Sequence, residues 1–598
     1  MGTNRFARGA AALLACMALA AVAKEPAANK ALNALFDREF KRGLDEHPEG
    51  GTFLGFDGYD DRLTDMSPAA IARRKGHVKE VIAELKRFDP ATLSTQDRIS
   101  RAILLDGLTL TEQQNALYGS LPFSEEDAWM PVSPLTGPQQ FFPYLARATP
   151  FRRTRDYENY VKRLEAIPAY LDQYVAVMQA GMRSGWMPPQ AAMQQVPAQF
   201  EPFAGEDVTA TPMWVPFTQF PPDMPAAERE RWAQTGKRVL AERVRPAFVA
   251  FKRFVESTYI PAARKDLAAS TLPAGPAYYA LQVREKTTTT LTPAEIHAIG
   301  LREVARIRAA MDEVIASTGF KGSFEEFTKF MNTDPRFFFK TPEARLAAYR
   351  DIAKRADAEL PKLFAELPRL PYGVRAMEAF EGDNADHYSP GALEGSRAGF
   401  FDANVNNLDK RPSHEMESTL LHEAVPGHHL QIARAMELKD LPLFRRSGWY
   451  VAYGEGWALY AESLGYEMGR YKDPYMRFGT LSMEMLRACR LVVDTGLHTM
   501  GWTRDQSIRY MVDNSIGLAF ATAEVDRYIV WPAQALGYKI GEIKIKALRA
   551  KAKAALGEKF DVRRFHNALL DDGAVPLTVL ETRIDDFIAR EKARKDPA

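Results

Sequence analysis

Apolar residues recur at intervals of three and four along most of the chain, the spacing of a helix that buries one face. Helix starts are also marked. Thr292, Pro293 and Glu295 combine a capping threonine, a proline in the first turn and a glutamate at the third position, and Thr341–Glu343 marks a second start in the same manner. The apolar stripe after the first start contains Ile296, Ile299, Leu301, Val304, Ile307 and Met311. The pattern therefore predicts a mainly α-helical protein.

Strand patterns are few. Alternating apolar residues predict a small β-sheet from two segments, about Gly373 to Phe380 and Gly399 to Val405. Two other stretches, Leu121 to Pro150 and Met187 to Pro225, are rich in Pro, Phe, Trp and Gln. We expect them to be long ordered loops, because aromatic residues at that density are normally buried. A boundary near residues 268–276 separates an N-terminal helical half, residues 24–270, from a C-terminal half, residues 271–598.

The first segment of the chain is typical of an export signal. Two arginines precede an apolar run over residues 9–19, and Ala21-Val22-Ala23 forms a small-x-small cleavage site. The run is too short to cross a bilayer, so we expect residues 1–23 to be removed and the mature protein to be periplasmic. A lipoprotein signal cut before Cys16 is the less favoured alternative, because the apolar stretch before that cysteine is short.

Composition narrows the classes of function. The 598 residues include 78 Lys and Arg and 77 Asp and Glu, a net charge of +1, which provides no electrostatic footprint for nucleic acid or an anionic membrane. Hydrophobic residues make up 46% and charged residues 26%, as in soluble globular proteins, and no later segment is predicted to span a membrane. Two cysteines exclude a disulfide scaffold and a four-thiolate zinc site, and only Cys489 remains after signal removal.

The candidate chemistry is concentrated in the segment LLHEAVPGHHLQ, which contains His422, Glu423, His428 and His429. In a helix of the HExxH type, two histidines one turn apart hold zinc, and the glutamate takes a proton from the bound water. Here the second histidine comes six or seven residues after the first. On an unbroken helix these positions point about 240° away or lie about 10.5 Å along the axis, and neither suits one metal ion.

Pro426 and Gly427 lie between the histidines and can interrupt the helix. A two-residue bulge would bring His428 to the place of the second ligand, whereas a kink would keep His429 on the face of His422. We favour the bulge and His428, because a bulge needs only a local change of the backbone. His429 is then expected beside the ligands or in the cleft.

A second segment, GEGWALYAE, supplies carboxylates. Glu455 and Glu462 are seven residues apart, two helical turns on one face. Glu455 is the candidate third ligand, and Glu462 is a candidate to orient a histidine. Trp457, Leu459 and Tyr460 lie between them, in an apolar stretch where unpaired carboxylates would be costly.

These two segments, with RLVVDTGLHTMGW and EVDRYIVWPAQALGYKIG, closely resemble the bacterial family catalogued as domain of unknown function 885. The resemblance covers about residues 395–541. The pattern is in turn similar to the mostly helical gluzincins, the thimet-type oligopeptidases and Taq-type carboxypeptidases. It implies a mainly α, zincin-like fold with a small sheet beside the active-site helix and a deep groove. It also implies zinc ligands at His422, His428 and Glu455.

The resemblance implies further site residues. The related peptidases carry tyrosines that hydrogen-bond the tetrahedral intermediate, and Tyr538 is the best counterpart, with Tyr528 second. Arg527 is another candidate donor to an oxyanion. The same resemblance suggests that His498 and Arg490 line the cleft. Near the predicted sheet, where the related enzymes bind substrate backbone, a substrate carboxylate is expected to bind Arg397.

The sequence therefore predicts an exported metallohydrolase that holds one Zn²⁺ per chain and cleaves short peptides. Glu423 would be the general base. The alternative is a peptide-binding or chaperone-like protein on the same scaffold without turnover.

Overall fold

The structure, a computed structural model, describes residues 25–123, 129–378, 381 and 384–594. The predicted export signal, Cys16 and Phe380 lie outside these residues. Within them the protein is mainly helical, as the sequence predicts, and no helix is both long and apolar enough to span a membrane.

The α-helices fall on both sides of the predicted boundary at residue 270. The first group consists of α1 Lys30–Glu46, α2 Pro48–Leu54, α3 Pro68–Leu85, α4 Thr95–Tyr118, α5 Pro138–Ala148, α6 Thr154–Ser184, α7 Val196–Gln199, α8 Glu201–Ala204, α9 Ala226–Val239, α10 Arg245–Phe254 and α11 Ile260–Ala262. The second group consists of α12 Gly275–Thr287, α13 Pro293–Thr318, α14 Phe324–Thr333, α15 Pro342–Asp357, α16 Met416–Glu423, α17 His428–Met436, α18 Leu443–Arg446, α19 Val451–Leu464, α20 Pro474–Thr499, α21 Arg504–Asp513, α22 Leu518–Val530, α23 Leu536–Leu556, α24 Val562–Leu570 and α25 Leu577–Ala593.

Both predicted helix starts are confirmed. The Thr292 side chain accepts from the backbone N–H of Glu295, whose carboxylate accepts from the backbone N–H of Thr292, a complete capping box. Thr341 accepts from the backbone N–H of Ala344. The predicted stripe on α13 is wrong at Leu301, which is 45% exposed, because Gly300 faces α20 instead: a Cβ there would lie 2.7 Å from Val492.

The two stretches predicted to be loops contain helices. Helix α5 lies in the first, and α7 and α8 lie in the second together with short 3₁₀ turns. Proline starts or lies near the start of each of these helices, where its missing N–H removes no helical hydrogen bond, so the proline content misled the sequence analysis. The expected burial of aromatics is confirmed by Trp129 and Phe217.

The sheet has three strands, β1 Tyr372–Ala376, β2 His387–Ser389 and β3 Gly399–Ala403, in the order β1-β3-β2. Strand β3 pairs parallel with β1 and antiparallel with β2. β1 and β3 were predicted, but β2 was not, because three residues are too short to show alternation. β2 is an edge strand and lies beside the end of α16.

Two large apolar cores and a small third one, which includes Leu32, Phe36 and Leu85, hold the helices together. One lies entirely within residues 132–263, whereas the larger one takes residues from both halves, including Trp129 and Tyr278. In the larger core α19 and α23 pack unusually closely. A Cβ on Gly456 would lie 2.5 Å from the Cα of Gly541, and a Cβ on Gly541 would lie 1.9 Å from the Ala452 carbonyl oxygen. This close approach brings side chains of both helices to one cavity.

Candidate functional site

The His-Glu motif ends one helix, and the pair of histidines begins the next. Helix α16 ends at Glu423 and α17 begins at His428, with residues 424–427 between them. The prediction of one bulged helix is therefore wrong. Gly427 makes the sharp turn possible, because a Cβ there would lie 1.9 Å from the His422 carbonyl oxygen, and Trp457 Nε1 donates to the Pro426 carbonyl oxygen at 2.9 Å.

This turn separates the two adjacent histidines. The His428 ring lies 4.8 Å from the His422 ring, centroid to centroid, at an interplanar angle of 88°. The His429 ring points away, with Nδ1 2.9 Å from the Tyr388 hydroxyl and its centroid 4.6 Å from that of Tyr372. Burial lowers the pKa of His429 to about 4. His428 therefore faces His422, and His429 supports the sheet.

Glu455 lies between the two facing histidines. Its Oε2 is 3.4 Å from His422 Nε2 and 3.3 Å from His428 Nε2. Neither contact meets hydrogen-bond geometry, and this buried oxygen has no hydrogen-bond partner among the described residues. Burial by itself would raise the pKa of Glu455, but the two imidazoles hold it well below its usual range. The carboxylate is thus ionised and incompletely satisfied.

Glu462, two turns further along α19, supports His422 from behind. His422 Nδ1 donates to Glu462 Oε1 at 2.8 Å, and Ser418 donates to Oε2 at 2.5 Å. Arg487 Nη2 lies 3.4 Å from Oε1. Because a carboxylate only accepts hydrogen bonds, Nδ1 of His422 carries a proton, and Nε2 is the ring nitrogen that faces Glu455.

Glu423 projects from the last position of α16 into the same cavity. His422, Glu423 and His428 each offer a ligand atom, and these three atoms lie within 4.8 Å of one another. Glu423 Oε2 accepts from the backbone N–H of Tyr388 in β2 at 2.9 Å. Burial raises the pKa of Glu423 to about 8, opposed by His428 and reinforced by Glu455. Its pKa therefore lies where a carboxyl group can both take up and release a proton near neutral pH.

Hydrogen-bond donors from other helices form another part of the cavity wall. The Tyr538 ring lies nearly parallel to the His422 ring, 6.3 Å away, and its hydroxyl accepts from Arg527 Nη2 at 3.0 Å. The Arg490 guanidinium carbon lies 4.3 Å from the centre of the Tyr538 ring. Arg490, Arg527 and Tyr538 all line the cavity. The sequence analysis placed Arg490 in the cleft and proposed Tyr538 and Arg527 as donors to an oxyanion.

Three residues that were predicted to contact substrate, Tyr528, His498 and Arg397, do not line the cavity. Tyr528 is fully buried and donates to Glu524 at 2.6 Å. His498 has backbone partners on both ring nitrogens, the N–H of Ala269 and the carbonyl oxygen of Tyr528, and burial lowers its pKa to about 4. The guanidinium of Arg397 donates to backbone carbonyl oxygens of the N-terminal half. The predicted cleft role of His498 and carboxylate-binding role of Arg397 are therefore wrong, because both side chains are engaged in packing the fold.

Besides Ser418 and Tyr388, the sequence analysis missed three residues that support or line the site. Arg487 supports Glu462, and Glu524 holds both Arg490 and Arg527, at 2.7 and 3.2 Å. Trp449 packs against the His428 ring at 5.6 Å. The spacing held a signal for two of them, since Arg487 precedes Arg490 by one turn and Glu524 precedes Arg527 by one turn.

The cavity that contains this site has a volume of about 870 Å³. One end is polar, with Arg345, Asp386 and Glu415, and apolar residues at the start of α22 form another part of its wall. Leu518 there is 65% exposed. The space is large enough for several residues of an extended peptide.

Comparison with known proteins agrees with the motif resemblance. The family described as bacterial protein of unknown function (DUF885) matches residues 48–584, so the chain belongs to this family. No curated protein matches the chain.

Two solved structures share the fold. A crystal structure described as that of the "putative lipoprotein from Colwellia psychrerythraea" is 27% identical, with a TM-score of 0.88 over 94% of this chain and 99% of that chain. A structure described as "a putative lipoprotein of unknown function from Shewanella oneidensis" is 16% identical, with a TM-score of 0.65 over 92% of this chain and 99% of that one. The second shows similarity of fold alone.

Proposed function

We propose that this member of the DUF885 family is an exported, zinc-dependent hydrolase of peptide or amide bonds in short peptides, with a zincin-like site. The observation that carries the proposal is the pair of contacts at Glu455. Two imidazole Nε2 atoms lie 3.3 and 3.4 Å from one buried carboxylate oxygen that has no hydrogen-bond partner among the described residues. Leaving such an oxygen unsatisfied costs free energy unless something else binds it.

The donor set fits zinc. Ligand atoms arranged tetrahedrally at about 2.0–2.2 Å from zinc are about 3.3–3.6 Å apart, which agrees with the observed distances. Two neutral imidazoles and one carboxylate form a common catalytic ligand set that leaves a fourth position open. His422, His428 and Glu455 would therefore hold the ion, and Glu462 would orient His422. A bound zinc ion would supply Lewis acidity and activate water for attack on a carbonyl carbon.

Glu423 would move the proton. Its carboxyl group borders the same space as the three proposed ligands, and the backbone N–H of Tyr388 fixes one of its oxygens. It would accept a proton from the attacking water and pass it to the leaving amine. Tyr538 and the two arginines beside it would donate hydrogen bonds to the oxygen that gains negative charge.

The proposal that the protein is exported is based on the first segment of the chain and on the two similar solved structures. The two solved structures are described as those of putative lipoproteins, which is compatible with an exported protein. We propose a periplasmic location, and mass spectrometry of the native N-terminus distinguishes cleavage after Ala23 from lipidation at Cys16.

The direct test is hydrolysis of a mixed peptide library by protein loaded with zinc, with and without a chelator. We expect cleavage that the chelator abolishes and zinc restores. The Glu423→Gln variant should keep its zinc but lose at least about a hundredfold in turnover, because an amide cannot accept the proton. Glu325→Gln, an exposed glutamate on α14, is the matched control.

Two results would reject parts of this proposal. Peptide binding without cleavage in the zinc-loaded parent protein would favour the peptide-binding or chaperone-like alternative. Near-normal turnover in Glu423→Gln would show that another group is the base.

A further inference from the structure

One acidic residue in the cavity of the candidate site has no partner among the described residues. Six acidic residues line this cavity, Asp386, Asp409, Glu415, Glu423, Glu455 and Glu524. Two of them form ion pairs with arginines, two belong to the proposed reaction centre, and Asp409 is exposed to solvent. Glu415 is only partly exposed, yet its carboxyl group forms no hydrogen bond or ion pair within the described part of the chain. Lys410 and Arg411, which also line the cavity, do not pair with it.

The charged groups that act on Glu415 balance one another without it. Arg345 pairs with Asp386 at 3.3 Å, and Arg487 lies 3.4 Å from Glu462. The two arginines lower the pKa of Glu415 and the two carboxylates raise it, but burial has the largest effect and raises the pKa to about 7. The ionised carboxylate is therefore poorly solvated and not neutralised by the protein, so a cation brought by a ligand would stabilise it.

Helix α16 connects Glu415 with the proposed reaction centre. Glu415 immediately precedes this helix, and Thr419, His422 and Glu423 on the helix also line the cavity. These residues are spaced by one and two turns, so they share one face with Glu415. Seven residues of helix rise about 10 Å, which about three residues of an extended peptide would span. A peptide whose reacting bond lies beside His422 would therefore reach Glu415 within a single cavity.

We infer that Glu415 binds a positively charged group of the substrate, an ammonium group of a lysine side chain or of a free N-terminus, about three residues from the reacting bond. This inference rests on the proposed function for the position of the bond. Hydrogen bonds from an ammonium group to a carboxylate are among the stronger ones in proteins. Glu415 would act as a specificity residue, because it would contact the substrate away from the reacting bond.

The test compares three octapeptides, each labelled with fluorescein at the C-terminus. The first alternates serine with lysine and has an acetylated N-terminus, the second has norleucine in place of lysine, and the third is the norleucine peptide with a free N-terminus. The alternation places a lysine near Glu415 whichever bond lies beside His422. Binding to the zinc-loaded full chain is measured by fluorescence anisotropy, in a Glu423→Gln background that prevents cleavage.

In this background the lysine peptide should bind about tenfold more tightly than the acetylated norleucine peptide, and adding Glu415→Gln should reduce the ratio to about one. The substitution keeps the shape of a side chain that has no partner among the described residues, so folding should be unaffected. Asp409→Asn, at the exposed acidic residue of the same cavity, and Glu325→Gln on α14 are the controls and should keep the ratio. The free N-terminus is the bound group if it increases affinity and Glu415→Gln removes that increase.

Equal ratios with and without Glu415→Gln would overturn the inference, and so would equal affinities for all three peptides before that substitution. The outcomes also separate this inference from the proposed function. Loss of the preference in Glu415→Gln, with no hydrolysis by the zinc-loaded parent, would support the specificity site and reject the hydrolase. Zinc-dependent hydrolysis with an unchanged preference would do the reverse.

Discussion

Glu455 and Glu462 project from the same helix, two turns apart, and both carboxylates contact His422, yet their surroundings differ. Glu462 has Ser418, His422 and Arg487 around it, and these partners hold its pKa below the usual range against the effect of burial. Glu455 has two imidazoles at 3.3 and 3.4 Å and an oxygen without a hydrogen-bond partner among the described residues.

The difference assigns different tasks to two chemically identical side chains. Glu462 is already satisfied by protein groups, so its contribution is to fix the His422 ring and its tautomer. Glu455 Oε2 can still accept a hydrogen bond or bind a cation on the side where both histidines lie. A metal cation is the partner that suits two imidazole nitrogens and a carboxylate oxygen at that point. We therefore expect substitution of Glu455 and substitution of Glu462 to lower zinc affinity by different amounts.

The largest expected effect is that of Glu455→Gln on zinc affinity. Structural zinc sites in peptides bind the ion with roughly 10–16 kcal/mol, and on that scale the loss of one of three ligands costs about 4 kcal/mol, on the order of a thousandfold in affinity. The measurement is a competition titration against a chromophoric chelator. An unchanged affinity would remove Glu455 from the ligand set.

The next comparison uses the adjacent histidines. His428→Ala should weaken zinc binding by about a hundredfold or more, because it removes one of the two facing imidazoles. His429→Ala should have a much smaller effect, since that ring contacts Tyr388 and Tyr372. The same titration decides, and a greater loss in His429→Ala would reverse the ligand assignment.

A smaller effect is expected for Glu462→Gln, about tenfold to a hundredfold in zinc affinity, as for other residues that support a ligand. The amide still occupies the space but no longer neutralises Arg487. Thermal unfolding without metal, measured in parallel, should show lower stability, whereas Glu455→Gln should change it less. Equal losses of zinc affinity in the two glutamate variants would contradict the division of tasks.

The smallest expected effect on zinc is that of Gly456→Ala. The new methyl group would press on Gly541, and overpacking of this kind costs about 1–3 kcal/mol of folding free energy. Both glutamates lie on the displaced helix, so the variant should lower stability without favouring either one. Urea unfolding measures this loss of stability. Parent-like stability would show that α19 and α23 can separate freely.

Local sequence signals predicted a large part of this molecule. The caps at Thr292 and Thr341 depend on residues three positions away, and the spacing of Glu455 and Glu462 is a property of one helix. Such features depend on residues that are close together in the sequence, so periodicity and capping rules can predict them. The short strand β2 escaped because it has only three residues.

What the sequence could not provide depends on partners far away in the chain. The turn between α16 and α17 is held by Trp457, which donates to the Pro426 carbonyl oxygen from 31 residues away. His498 looked like a cleft residue, but its partners come from segments 229 and 30 residues away. Spacing within one helix cannot predict such contacts.

The central claim is that His422, His428 and Glu455 hold one metal ion. The most direct measurement is an anomalous difference map, collected on both sides of the zinc absorption edge, from crystals of protein purified without chelator and supplied with one equivalent of zinc. The account predicts a single strong peak in contact with the Nε2 atoms of both histidines and with Glu455 Oε2. A map with no peak there, or with the peak beside His429, would contradict it.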